Sequence, residues 1–157
     1  MVWLMAETRV WVRPMTAEDV ERVLAIADRL PQAPHWPVSA YQTALDPAAA
    51  LHRVALVAEC EDLVVAFAVA SVMAPQAELE SIAVAASAQR RGLARALLAA
   101  TEEELRRRGV TEVLLEVRAS NQPALELYGG YGFEPTAVRA RYYIDPVEDA
   151  VLMRHAL

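Results

Sequence analysis

The sequence predicts a single α/β domain, residues 1–157, with mixed strand connections. Along the chain the apolar period switches from helical to β-rich and back. No repeat, linker or low-complexity stretch divides it. A length of 157 residues suits one domain with a full-sized core. With 55% hydrophobic and 23% charged residues the chain is globular, not disordered.

Each element follows from its own pattern. "RVWVR" (9–13) alternates and reads as a strand. Thr16 and Asp19 then resemble a capping box with Asp in place of Glu, and Val20, Val23, Leu24 and Ala27 form a helical stripe. Pro31, Pro34 and Pro37 break "PQAPHWP" into a loop, after which Ser39 can cap a short second helix, "AYQTAL". Two β-rich runs, 52–60 and 63–73, flank Glu61-Asp62 and predict a hairpin. "AELESIAVA" (77–85) is the next strand. A long helix over 92–108 ends at Gly109, a C-cap signal. "TEVLLEVRA" (111–119) is a strand. Asn121 can cap a helix that carries Pro123 in its first turn and ends near Gly129. "GFEPTAVRARYYID" and "EDAVLMRHAL" read as two final strands.

Charge and composition exclude several function classes. Acidic residues outnumber basic ones, 21 to 15, for a net charge of −6. A broad basic face for nucleic acid is therefore not expected. Every basic residue apart from histidine is arginine. Cys60 stands alone, so no internal disulfide can form, and it reads as a small buried residue. His35, His52 and His155 lack metal-ligand spacing, so no metal is expected. No apolar run is long enough to cross a membrane, and "MVWLM" lacks the basic start and cleavage pattern of a signal peptide. The expectation is a cytoplasmic protein whose start is Met1 or Met5.

Against the acidic background, "QRRGLARALL" (89–98) stands out. Gln89-x-x-Gly92-x-Ala94 lies between a predicted strand and a predicted helix. Gly92 lets backbone approach a ligand without an intervening Cβ. Unpaired N–H groups and the dipole of a first helical turn make an anion site, which Arg90 and Arg91 would reinforce. A solvated strand-to-helix turn is the plain alternative, and this stretch alone leaves both open. A P-loop is excluded because there is no lysine, and a dinucleotide fingerprint because Gly92 is the only glycine here.

A second constellation is "LEVRASNQPALELYGGYGF" (115–133). Glu116 sits in an otherwise apolar strand. Such a carboxylate is either paired with an arginine or kept as a base. Tyr128 falls on the last turn of the following helix, where core packing is the ordinary role.

Together "SIAV" (81–84), "QRRGLA" (89–94) and Asn121, Ala124, Leu127, Tyr128, Gly132 and Phe133 resemble the GNAT superfamily of acetyl-CoA-dependent N-acetyltransferases. "LEVRASN", "ELYGGYGF" and "RARYYIDPVEDAVLM" are further similar to its ribosomal-protein-alanine N-acetyltransferase branch, which acetylates protein N-termini. "APHWPVSAYQTAL" (33–45) looks like a degraded version of that branch's His-Pro-Trp-Ser segment. The resemblance covers roughly residues 9 to 155. It implies a central mixed, mostly antiparallel twisted sheet flanked by about four helices. Acetyl-CoA is then the co-substrate, with no metal. Backbone groups of Ile82, Ala83 and Val84 would meet the pantetheine arm and thioester. The turn from Gln89 through Arg90, Arg91, Gly92, Leu93 and Ala94 would hold the pyrophosphate, and Asn121 would contact the cofactor. Glu116 matches the proton acceptor and Tyr128 the proton donor.

The resemblance has departures. Ala85-Ala86 replaces a common Asp-Pro, Ala88 a common tyrosine, and Pro37 a common serine in the segment that lines the acceptor groove. Glu78 and Glu80 are rivals for the base. Period two puts both on one face with Ile82 and Val84 unless a bulge intervenes. Glu116 is preferred because it lies within an apolar strand. The expected acceptor is a protein N-terminal amine. A small amine or a lysine side chain is the alternative, as is a silent acyl-CoA-binding regulator. A monomer and a homodimer both fit, and neither nucleic acid nor membrane is expected as a partner.

Overall fold

The computed structural model describes the backbone of residues 2–5 and 8–157, and side chains from Arg9 onward. The described strands are β1 (Val2–Met5), β2 (Thr8–Pro14), β3 (Arg53–Cys60), β4 (Leu63–Met73), β5 (Gln76–Val84), β6 (Glu112–Arg118), β7 (Glu134–Ile144) and β8 (Val147–Ala156). They form one sheet in the order β1-β2-β3-β4-β5-β6-β8-β7. Every neighbouring pair is antiparallel except β5 with β6. The helices are α1 (Val20–Asp28), α2 (Val38–Leu45), α3 (Leu93–Arg107) and α4 (Gln122–Tyr131). The expected mixed sheet with about four helices is what the chain forms. Among the described residues no helix is long and apolar enough to cross a membrane.

Local chemistry explains most boundaries. At the β3–β4 hairpin Glu61 and Asp62 both have positive φ, 51° and 62°. That mirror-image turn matches the twist of the strands it joins. Before α1, the Asp19 carboxylate accepts from the Thr16 backbone N–H at 2.8 Å and its hydroxyl at 3.2 Å. The predicted capping box is present, and it opens a turn of 3-10 helix, Ala17–Asp19. Gly109, at φ +80°, follows the end of α3 as predicted.

Three expectations shift. The apolar start is β1, laddered against β2 from Val2↔Trp11 to Met5↔Thr8. Four residues carry too little pattern to announce a strand, and β2 supplies the missing half. Pro37 rather than Ser39 caps α2, so Ser39 lies inside the helix. Helix α4 does not stop near Gly129 but runs through both glycines to Tyr131. Packing holds it there: Tyr131 meets the rings of Phe133 and His155, at 6.3 and 5.6 Å. Tertiary contact outweighs the weak helix propensity of glycine.

β4 is buried from Val64 to Ala70 and divides two cores. Ala66, Ala68 and Ala70 pack with α3 and α4, while Phe67 and Val69 pack with α1 and α2. Cys60 is half-buried against the α3 side, not enclosed as expected, because it ends β3 beside the hairpin turn.

A polar cluster sits within the α3–α4 side. Glu102, only 3% exposed, lies 2.6 Å from His155 Nδ1 and accepts from the Tyr131 hydroxyl at 3.1 Å. Arg106 stands 3.7 Å away. Burial and the adjacent Glu102 push the Tyr131 pKa up to about 12. Glu102→Ala would strand these partners, and we expect a stability loss of about 3 kcal/mol in urea titration.

Candidate functional site

The site begins where two strands part. β5 and β6 pair only at Gln76↔Glu112, Ala77↔Val113 and Glu78↔Leu114. Beyond Glu78, β5 continues to Val84 and β6 to Arg118 without laddering. One edge of β5 stays paired with β4, and the other faces the opening. Ala85 donates its N–H to Val65 O on β4 at 2.7 Å. Alternation turns the Ala83 backbone the same way, opposite Phe67, and turns Ile82 and Val84 toward the opening. The Gln89 amide donates to Val84 O at 3.1 Å, as that direction requires.

Residues 89–94 stand next to this edge. Arg90 and Gly92 both adopt left-handed φ, +66° and +76°. Gly92 is the N-cap of α3, and no side chain caps the helix. The first intrahelical bond recorded there runs from Ala96 N to Gly92 O at 3.1 Å. The amides of Leu93 and Ala94 therefore have no helical acceptor. Arg90, Arg91 and Gly92 are exposed, whereas Leu93 is buried and anchors the turn. An uncapped helix start with left-handed residues before it can hold an anion on backbone N–H groups.

A β-bulge reorganises the carboxylates. Val69 pairs with Ser81 but Ala70 pairs with Leu79, leaving Glu80 as the extra residue. The faces therefore exchange partway along β5. Ala77 and Leu79 pack on the α3 side, but beyond the bulge Ile82 and Val84 do so. Glu78 consequently lies on the face opposite Ile82 and Val84, which corrects the common face that period two predicts. Glu80 is held by Arg53, whose Nε and Nη2 reach its carboxylate at 2.7 and 3.3 Å. Both side chains are under one-fifth exposed, at 17% and 19%.

Glu116 alternates with Leu115 and Val117, which pack on the α3 side, so it shares the other face with Glu78. Its Oε1 lies 3.2 Å from Arg139 Nη1 on β7. That arginine side chain is 55% exposed. Sequence left pairing and base open, and a pair is present, though with a surface arginine. Glu78 keeps access to solvent. Partial burial of its carboxyl, then the charges of Glu116 and Glu80, raise its pKa, while Arg139 opposes the rise.

Tyr128 is 8% exposed and packs edge-on to Phe133 at 5.6 Å. Burial, then Tyr143, pushes its phenol well above the ordinary value, so it keeps its proton at neutral pH. The Tyr143 phenol is raised as well, first by burial and then by the Glu116 charge. Tyr143 thus feels Glu116 and in turn acts on Tyr128. Asn121 caps α4, its Oδ1 accepting from Ala124 N at 3.3 Å.

Several site residues lie outside the sequence reading. Interaction with the Glu116 carboxylate raises the Tyr142 phenol. Arg139 stands 5.4 Å from the Tyr142 ring, and Arg118 stands 4.2 Å from the Tyr143 ring. The run "RARYY" carried the signal, arginines beside aromatics, but which strand faces they share depends on the β7–β8 register. Trp36 lies 6.0 Å from Arg53, linking the proline-broken loop to the bulge.

Comparison with known proteins gives the family and bears out the fold. The model of the acetyltransferase (GNAT) family matches residues 20–133. An Escherichia coli (strain K12) protein named ribosomal protein bS18-alanine N-acetyltransferase is 47% identical over 90 residues, 56% of this chain. The match spans 61% of that relative's length. An N-alpha-acetyltransferase of Sulfurisphaera tokodaii is 45% identical over 74 residues, 46% of this chain and 44% of that protein. The crystal structure of the E. coli ribosomal-protein-S18-alanine N-acetyltransferase superimposes with a TM-score of 0.81 at 30% identity. That superposition covers 94% of this chain and 93% of the other.

Proposed function

The chain belongs to the GNAT acetyltransferase family, and on that premise we propose that it transfers acetyl from acetyl-CoA to the α-amino group of a protein N-terminus. The observation that carries the reading is the opening between β5 and β6, with an uncapped helix start at its edge and carboxylates on its wall. The names of the relatives at 47% and 45% identity support an N-terminal acceptor.

The residues present fit acetyl-CoA. The amides from Arg90 to Ala94 would hold its pyrophosphate, with Arg90 and Arg91 adding charge. Ile82 and Val84 would ladder with the pantetheine arm, beside Ala83 in the β4 ladder, and Asn121 has an amide nitrogen left for the cofactor. When bound, acetyl-CoA supplies the acetyl group as a thioester, with a thiolate as leaving group. Glu116 takes the proton of the incoming ammonium, directly or through one water. An N-terminal amine has a reference pKa near ~8, against ~10.4 for lysine, so it needs less help. The Val84 N–H stabilises charge growing on the acyl oxygen. Tyr128 returns a proton to the sulfur. No covalent enzyme intermediate is needed.

The test is mass spectrometry of acetyl-CoA incubated with the protein and peptides of varied N-termini. Gain of one acetyl on the α-amino group is the expected result. Transfer confined to lysine side chains or small amines, or binding without transfer, would overturn the reading.

Gly92 supplies an independent check on the cofactor turn. At φ +76° a β-branched residue is strained whatever binds there. Valine would therefore harm folding along with binding. Asparagine tolerates left-handed backbone and separates the two effects. We expect Gly92→Asn to leave the melting temperature nearly unchanged while weakening acetyl-CoA binding by about tenfold or more, about 1.4 kcal/mol, in calorimetry. Unchanged affinity would move the pyrophosphate elsewhere.

A further inference from the structure

The chain contains two kinds of arginine–carboxylate pair. Arg53 grips Glu80 through two nitrogens, with both partners largely enclosed. Arg13 likewise grips Asp19 through two, at 2.7 and 2.9 Å. The Arg139–Glu116 pair differs. Its shortest contact, Nη1 to Oε1, is 3.2 Å, and 55% of the arginine side chain is in solvent. Such a pair is held weakly and exchanges readily.

The backbone under Arg139 is also irregular. Register between β7 and β8 is lost between Arg139 and Tyr143. Within that interval Arg141 takes a left-handed φ of +54°, and its N–H is bound by Asp149 Oδ1 at 2.9 Å. Arg139 is thus the last laddered residue before a break. The Arg139 guanidinium already lies 5.4 Å from the Tyr142 ring, a cation–π contact that remains when Glu116 is released.

Charge counting gives the pair a purpose. Glu78, Glu80 and Glu116 bring three negative charges to this region. Arg53 is committed to Glu80, and Arg139 faces both remaining carboxylates. One negative charge is left over, and the more exposed of these two arginines covers the group that an incoming ammonium must reach.

We infer that Arg139 is the exchangeable counter-ion of Glu116: it holds the carboxylate in the free protein and yields its place to the ammonium of the acceptor, keeping its contact with the Tyr142 ring. Arg139 is a positioning residue that acts through Glu116, and the inference rests on the acetyl-transfer reading above. It makes acceptor selection partly a charge exchange. A neutral product amide cannot displace Arg139, so the arginine returns and favours release. The groups that face this exchange are Glu78 and Glu80 on β5, Glu116 and Arg118 on β6, Arg139, Tyr142 and Tyr143 on β7, and Glu148 on β8, which Arg118 pairs.

The experiment is calorimetric titration of CoA-loaded protein with an alanine-initiated peptide, free or N-acetylated, across pH. Wild type, Arg139→Gln and Arg139→Lys are compared. Arg139→Gln is expected to bind the free-amine peptide several-fold more tightly and the acetylated peptide no differently. Arg139 pulls the Glu78 pKa down. In Arg139→Gln that pKa therefore rises further, and free-amine binding should weaken from a higher pH on acidification. Arg139→Lys should restore wild-type affinity and pH profile. Weaker binding of both peptides by Arg139→Gln would make Arg139 a peptide-holding residue and overturn the inference. Equal change for both peptides, or no binding of the free amine by any variant, would overturn it too. Acetyl transfer by wild type is followed in parallel, so intact peptide binding without transfer marks failure of the functional reading alone.

Discussion

Glu116→Gln should lower kcat by about 10²–10⁴-fold with the fold intact, the usual worth of a general base. Its partner Arg139 has 55% of its side chain in solvent. Losing the pair should therefore cost under about 1 kcal/mol of stability, because an arginine left alone at the surface is simply hydrated. Had the partner been enclosed, the same substitution would have stranded a buried charge and reversed the order of effects. The deficit should narrow as pH rises past ~8, where an N-terminal amine sheds its own proton. The measurement is steady-state turnover at saturating acetyl-CoA, with melting temperature as the control. Retained turnover in Glu116→Gln with collapse in Glu78→Gln would move the base to Glu78, whose pKa is raised by burial and by Glu116 and Glu80. Glu80→Gln is the weaker rival, since Arg53 already takes both of its carboxylate oxygens.

Tyr128→Phe is expected to cut kcat by about 10²–10⁴-fold as well, through loss of the proton donor. The ring stays, and with it the edge contact to Phe133 at 5.6 Å, so stability and acetyl-CoA affinity should hold. Burial keeps the phenol protonated far above neutrality, so the donor itself adds no alkaline limb near physiological pH. Near-full turnover would return Tyr128 to core packing. The same loss from Tyr143→Phe, with Tyr128→Phe active, would shift the donor to Tyr143, whose phenol is also raised and feels Glu116.

The strands from β2 onward, the four helices and the turn at 89–94 were legible because their causes are local. Thr16 and Asp19 lie three apart, and the hairpin turn is two adjacent residues. Gly92 stands directly before the helix it opens. Where a local signal failed, a distant contact had overruled it. Helix α4 passes two glycines because Tyr131 packs on Phe133 and His155. The first strand needed β2 to exist at all.

By itself the sequence determined the order of elements from β2 onward, the glycine turn that opens α3, and the presence of Glu116 and Tyr128 on neighbouring elements. Only the tertiary structure decided which carboxylates share a wall. The bulge at Glu80 exchanges the faces of β5, sending Glu78 toward Glu116 and away from Ile82 and Val84. The parting of β5 from β6 after three residue pairs, and the reach of Arg139 past β8 to Glu116, were likewise settled in three dimensions. The physical reason is register. A strand's side chains alternate with period two, so a one-residue slip in pairing moves every later side chain to the other face. Pairing register is set by residues far apart in the chain, and no local pattern records it.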